Sequence, residues 1–211
     1  MKKLLMIVAL IGVALWYKNG GLTSNNAGAF SASNTPEIWL FTFNQCGKPC
    51  NDAVSDLENR AAEYTHYKLD DGEEVQSLWS EMGGKTLPFY AIGNQTSNGF
   101  FRSDIASKLA QSFGDEYLTR QEKQYMENHF YSDGQAKVYI YGASWCPYCK
   151  KLRETLEAKN IDYYELDVEK ASDRKAIIET MQIAGYPTVY VGYKRIQGKL
   201  DRIMDQIVEN I

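Results

Sequence analysis

Trp145–Cys149 reads WCPYC and follows directly on KVYIYGAS at Lys137–Ser144. The run from Lys137 to Tyr141 is apolar, β-branched and aromatic, the composition of a strand. After the cysteines, Cys149, Leu152 and Leu156 fall at i, i+3 and i+7, the stripe of a helix lying on a sheet. The cysteine pair therefore stands where a strand turns into a helix. Ile161–Val168 reads as a second strand, and a helical crossover makes it parallel to the first. Ser172 is placed to cap a helix ending near Gly185. PTVYVGYKRIQG, Pro187–Gly198, reads as a hairpin turning at Gly192 and Tyr193. Leu200, Ile203, Met204, Ile207 and Val208 give the apolar face of a closing helix. The sum is a βαβ unit followed by αββα: an α/β fold with a mixed four-stranded sheet flanked by helices.

The same plan occurs twice. IWLFTFNQCGKPC, Ile38–Cys50, also sets an apolar strand before a cysteine pair. Cys46 corresponds to Cys146, Leu87-Pro88 to Tyr186-Pro187, Gly93 to Gly192 and Gly99 to Gly198, and YKLDD at Tyr67 is like YYELD at Tyr163. A period of about 100 residues is too long for a solenoid and indicates duplicated domains. The first spans residues 37–114: a strand over Ile38–Phe43, a helix lined by Cys50, Ala53, Val54, Leu57 and Ala61, a strand beginning at Tyr67–Leu69, and a closing helix from Ser103 to Phe113 stopped by Gly114. Residues 115–136 connect the copies, with Thr119 and Glu122 at capping-box spacing before a helix. The second copy spans 137–211.

Ahead of both lies MKKLLMIVALIGVALWYK, in which Leu4–Tyr17 carry no charge. Residues 1–18 read as a membrane-targeting segment, a signal anchor or a signal peptide. The apolar stretch, about 21 Å as a helix, is shorter than the roughly 30 Å hydrocarbon core. No small-x-small cleavage site follows it directly, which favours an uncleaved anchor over removal; a buried helix is disfavoured because apolar residues occur on every face. Lys2 and Lys3 orient the rest away from the cytoplasm. The expectation is an extracytoplasmic, periplasmic-side protein anchored to the inner membrane or exported. Residues 19–36, dense in Gly, Ser, Asn and Ala, read as a flexible tether. The net charge of −4, with no long basic run among the 211 residues, argues against nucleic acid as a partner.

WCPYC, GYPTVYV at Gly185–Val191 and IQGKLD at Ile196–Asp201 resemble the glutaredoxins, and the whole plan resembles the thioredoxin fold. CGKPC in the first copy is similar to a thioredoxin CGPC motif with Lys48 inserted. The resemblance implies a thiol-disulfide oxidoreductase that binds no resident cofactor, takes protein or glutathione disulfides as partners, and has glutathione as a candidate co-substrate. It also implies cis bonds at Tyr186-Pro187 and Leu87-Pro88. Against the family pattern, Ala143 replaces a basic residue, Gln197-Gly198 a Gly-Gly pair, and Leu200-Asp201 a Thr/Ser-Asp pair, of which Asp201 alone matches.

Disulfide exchange needs a thiolate, and a free cysteine near pKa 8.5 is mostly protonated at neutral pH. Unpaired N–H groups and the dipole at a helix N-terminus stabilise negative sulfur, and Pro147 suits the first turn. Cys146 is thus the expected nucleophile and Cys149 the resolving thiol. Tyr148, Tyr186, Pro187 and Asp201 are the expected substrate-binding residues; Trp145 and Tyr148 are read as shaping the exposed rim, with core packing as the alternative. Lys150, Lys151 and Arg153 add positive field or stand as solvated charges. Cys46 and Cys50, the second pair, are compatible with a readily reduced disulfide, a static bridge or a metal site. Copper carriage by that pair, or a docking module that has lost its chemistry, are the alternative functions. His66 and His129 read as surface residues rather than ligands.

Overall fold

Ile38–Thr42 (β1) and Val138–Gly142 (β5), mostly apolar and aromatic, are buried at every position, as strands covered on both faces must be. Each is a central strand of its own sheet in the computed structural model, which describes residues 28–211. Around β1 the chain adds α1 (Lys48–Asn59), β2 (Thr65–Lys68), α2 (Glu73–Glu81), β3 (Phe89–Ile92), β4 (Gln95–Asn98) and α3 (Arg102–Phe113). After α4 (Arg120–Met126), the second half adds α5 (Pro147–Ala158), β6 (Tyr163–Asp167), α6 (Arg174–Met181), β7 (Thr188–Val191), β8 (Lys194–Ile196) and α7 (Leu200–Val208) around β5.

The sheet orders are β2-β1-β3-β4 and β6-β5-β7-β8. In each, the first pair is parallel and the other two are antiparallel. Two mixed four-stranded sheets flanked by helices are consistent with two thioredoxin-like domains. The registers correct one detail of the repeat. Trp39 pairs with Thr65 and Tyr139 with Tyr164, so Thr65 is the counterpart of Tyr164, and the likeness of YKLDD to YYELD is displaced from the structural match.

Alternation along the strands assigns the two faces. In the second half, Val138, Ile140, Val189 and Val191 pack against Leu152, Leu156, Ile203 and Ile207 of α5 and α7. Tyr139, Tyr141 and Tyr190 face the other way, against Ile177 and Met181 of α6. That second core also takes Ala106 and Ala110 from α3 and Tyr125 and Met126 from α4. Helix α3 is therefore shared: Ile105 and Leu109 serve the first core, and the small residues on its other side let the second sheet approach. Ser107 Oγ donates to Tyr193 O at 2.6 Å and accepts from Arg195 N at 3.0 Å, while Ser103 N donates to Gln182 Oε1 at 2.7 Å. A buried ion pair adds to this joint: Arg60, at the end of α1, donates to Glu122 Oε1 and Oε2 at 2.9 and 2.6 Å. Thr119 and Glu122 form the capping box of α4.

Several expectations are corrected. The tether expected to reach Pro36 ends earlier: Ala29 is fully buried, its N–H donates to Gly93 O at 2.7 Å, and Phe30 bridges to Pro36. Segment 1–18 and the rest of the tether lie outside the described residues; among the described residues, no helix is long and apolar enough to cross a membrane. Asp173, not Ser172, precedes α6, which stops at Gln182 in the left-handed region (φ 46°), before Gly185. Ala61 lies beyond α1 with φ 52°, and Val208 is exposed at the end of its helix.

His129 is the largest departure from the sequence reading: it is fully buried, between the Tyr139 and Tyr190 rings with centroids at 4.7 Å from each. Nδ1 lies 3.0 Å from Gly192 O, a carbonyl that can only accept, so Nδ1 carries the proton. Nε2 then accepts from the Tyr141 hydroxyl at 2.9 Å. Burial pushes the imidazole down to about 3. The unfolded chain binds a proton at this residue below about pH 6.5 that the folded chain refuses until about pH 3. Stability contributed here is complete above the first value and falls as pH drops toward the second. The expected slope is about 1.4 kcal/mol per pH unit. Urea unfolding at pH 4.5 to 6 should show that slope reduced by one proton in His129→Gln; an unchanged slope would refute the assignment.

Candidate active site

The loop Ala143–Cys146 leaves the buried end of β5 and closes on itself, with Cys146 N donating to Ala143 O at 3.0 Å. It is pinned from the neighbouring strand, because Ser144 N donates to Asp167 Oδ2 at 3.1 Å. Cys146 is the N-cap of α5 and Pro147 begins the helix, a position where the missing N–H costs nothing. The Cys149 N–H, one of the unpaired donors of that first turn, donates to Cys146 Sγ at 3.1 Å. One sulfur therefore replaces the usual capping oxygen. Tyr186 O, on the cis Tyr186-Pro187 bond, stands 3.6 Å from the same sulfur.

Residues 138–196 match the family model for glutaredoxin. The carboxy-terminal half carries a glutaredoxin domain. A glutaredoxin-like 8.6 kDa protein in the rubredoxin operon of Clostridium pasteurianum, itself uncharacterized, is 29% identical over 73 residues, which are 34% of this chain and 97% of that protein. Among solved structures, glutaredoxin C1 from Populus tremula x tremuloides aligns at 23% identity and TM-score 0.29, covering 36% of this chain and 77% of that one. The buckwheat glutaredoxin–glutathione complex aligns at 21% and 0.29, covering 34% and 68%.

Within the glutaredoxin domain the two thiols are unequal. Both cysteines are free and buried. Burial pushes the Cys149 thiol up to about 12, and its contact with Cys146 adds to the effect. Cys149 is thus a proton-holding partner in the resting dithiol. Its alkylation by iodoacetamide is expected to stay slow up to about pH 10, where only about 1% would be thiolate, and to rise toward pH 12. Peptide mapping that found Cys149 labelled readily at pH 8 would contradict this.

Two aromatic side chains frame the sulfurs from outside. Trp145 and Tyr148 are 68% and 70% exposed, so neither belongs to the core. Trp145 meets the Tyr186 ring edge-on at 6.1 Å, and Tyr186 Oη donates to Glu169 Oε1 at 3.1 Å. Asp201 stands exposed in the first turn of α7 and is not hydrogen-bonded to the cysteine pair. Of the basic residues, Arg153 is not a free charge: its Nη1 donates to both oxygens of Glu165 at 2.9 and 2.8 Å. Lys150 lies 3.8 Å from Glu154, and Lys151 is exposed. Glu165 was missed in the sequence; it lies so close over Gly142 that a Cβ there would collide with its Oε1. A glycine ending a strand beside a cysteine motif was the available signal.

The other pair is a disulfide. Cys46 and Cys50 are bonded with Cα atoms 5.7 Å apart, within the usual range for such bridges. Sulfurs bonded to each other are not free thiolate ligands, which removes the basis of the copper reading as long as the bond persists. Among the described residues no group of three or more His, Cys, Asp or Glu converges on a metal position. The Leu87-Pro88 bond is also cis. Cys46 is half-exposed and Cys50 buried, and Phe43 and Phe101 are exposed on this half.

Proposed function

We propose that the chain is a thiol-disulfide oxidoreductase working by dithiol exchange at Cys146 and Cys149, held on the extracytoplasmic side of a membrane by residues 1–18. One observation carries the chemistry: Cys146 Sγ caps a helix and accepts the Cys149 N–H at 3.1 Å, which favours negative charge on that sulfur. As thiolate, Cys146 attacks one sulfur of a substrate disulfide. A Cys146–substrate disulfide forms, the substrate's own bond breaks, and the leaving sulfur departs as thiolate and takes up a proton. Cys149 then loses its proton and attacks Cys146 Sγ, which closes the internal disulfide and releases the second substrate sulfur. Two electrons have passed from protein to substrate, and the same steps reversed donate a disulfide.

Glutathione or another thiol re-reduces the protein, and protein or glutathione disulfides are the substrate class. Trp145, Tyr148, Tyr186, Pro187 and Asp201 form the substrate-facing set in this reading. The carbonyl of Tyr186 beside the sulfur suits an extended peptide pairing with the backbone there. With dithiothreitol as electron source, the purified chain is expected to reduce a disulfide-bonded peptide catalytically; absence of turnover would overturn the proposal. The placement is tested separately: protease added to intact spheroplasts should digest residues 28–211, and protection of that region would exclude the extracytoplasmic side.

A further inference from the structure

The two cysteine loops are built alike up to the first sulfur and differ directly after it. Cys46 N donates to Phe43 O at 3.0 Å as Cys146 N does to Ala143 O, and Asn44 N donates to Asp70 Oδ2 at 2.7 Å as Ser144 N does to Asp167 Oδ2. The second cysteine also occupies the same place, the third residue of its helix. The additional residue of CGKPC is absorbed between them. Gly47, at φ 72°, takes the cap position: its carbonyl accepts from Asn51 N at 3.2 Å as the Cys146 carbonyl accepts from Lys150 N at 3.1 Å. Cys46 is left one residue outside the helix.

We propose that Cys46–Cys50 is a second redox site whose reduction potential lies below that of Cys146/Cys149, the order being set by this displacement. A dithiol is a better oxidant in its disulfide form when its reduced form is stabilised. In the glutaredoxin domain the reduced form gains a capping N–H on sulfur and the dipole of α5. At the first site glycine holds that position and the sulfur does not. The neighbouring cation does not compensate, since Lys48 Nζ is held by both oxygens of Asp52 at 2.6 and 2.7 Å. The disulfide is accordingly the favoured form.

Exposure sets the course of exchange. An incoming thiolate attacks the half-exposed Cys46 Sγ, and Cys50, buried at the helix start, leaves as thiolate. In the downhill direction a reduced Cys46/Cys50 pair gives two electrons to the disulfide form of Cys146/Cys149. Cys46 thiolate opens that disulfide, Cys50 resolves the mixed disulfide, and Cys46–Cys50 is re-formed while two protons pass to Cys146 and Cys149. The order of potentials fixes the direction of electron flow, from the amino-terminal pair to the carboxy-terminal one, whenever the two exchange.

The test uses the intact chain equilibrated across ratios of reduced to oxidised dithiothreitol, quenched in acid, alkylated and read pair by pair by mass spectrometry. The Cys46–Cys50 midpoint is expected to need at least a tenfold more reducing equilibrium, about 30 mV for a two-electron couple. Deletion of Lys48, which restores the two-residue spacing, should move that midpoint toward the Cys146/Cys149 value and leave the latter in place. Coincident or reversed midpoints in the unmodified chain would overturn the proposal, as would a Cys46–Cys50 disulfide that no ratio reduces or a midpoint unmoved by the deletion in a folded variant. If the deletion variant does not fold, the order of the two midpoints in the unmodified chain decides. Turnover of a peptide disulfide is a separate readout, so failure here is distinguishable from failure of the exchange chemistry at Cys146.

Discussion

Cys146→Ser is expected to lower disulfide reduction by at least about a thousandfold, to the level of the uncatalysed reaction. The serine keeps the cap, since its hydroxyl can accept the Cys149 N–H that the sulfur accepts at 3.1 Å, so the loss would report nucleophilicity rather than folding. Cys149→Ser should behave differently. The first attack is intact, but the buried thiol that resolves the mixed disulfide is gone. Turnover then depends on an external thiol, so activity should rise steeply with added glutathione in Cys149→Ser and not in Cys146→Ser. An equal response of the two variants to added glutathione, both well above background, would contradict the assignment of roles. Circular dichroism of both should match the unmodified chain.

Arg60→Ala is expected to destabilise the protein by about 3–5 kcal/mol, the cost of leaving the buried Glu122 without its cation; Asp56, which Arg60 also binds at 2.8 Å, loses its partner too. The side chains of Arg60 and Glu122 are 0% and 2% exposed, so water cannot take the place of either. Burial by itself would push the Glu122 carboxyl up, but the Arg60 guanidinium outweighs that and holds it below the usual carboxylate range. The depressed value means that the contribution is complete above the unfolded value, about pH 4.3, and is lost as pH falls through the folded one. For a chain of this size the midpoint of thermal unfolding should fall by about 10 °C. Arg60→Met/Glu122→Leu, which removes this pair, also takes the partner from Asp56, held at 2.8 Å, and the acceptor from Thr119 N at the cap of α4, so it should recover only part of it. Because Arg60 ends α1 and Glu122 lies on α4, the loss should be cooperative over the described region; two separate transitions in the unmodified chain would show that the halves unfold independently.

The central strands, the helix behind each cysteine pair and the turn at Gly192-Tyr193 were legible because their signals are local. A five-residue run of apolar, β-branched and aromatic residues next to a turn signal reads as a covered strand, and a hairpin turn sits where its glycine has positive φ. What escaped depends on contacts between distant segments. Helix α3 has one apolar stripe, Ile105 and Leu109, and a second side of Ser103, Ala106, Ser107 and Ala110 that looks like a solvent face. Only the docked second sheet makes it an interface. His129 and Glu122 have the composition of surface residues, and their burial follows from partners far along the chain, Gly192 and Arg60. At the site, both cysteines could be placed on a helix start, whereas the Arg153–Glu165 pair could not. Opposite charges on a helix and an adjacent strand carry no sign in sequence that they meet.

The central claim is that Cys146 Sγ makes the first attack on a substrate disulfide. Incubating Cys149→Ser with a disulfide-bonded peptide and reading the adduct by mass spectrometry tests it most directly. A stoichiometric mixed disulfide on Cys146, released by dithiothreitol, is predicted. Adduct at Cys46 or Cys50 alone, or none at all from a folded protein, would contradict the account.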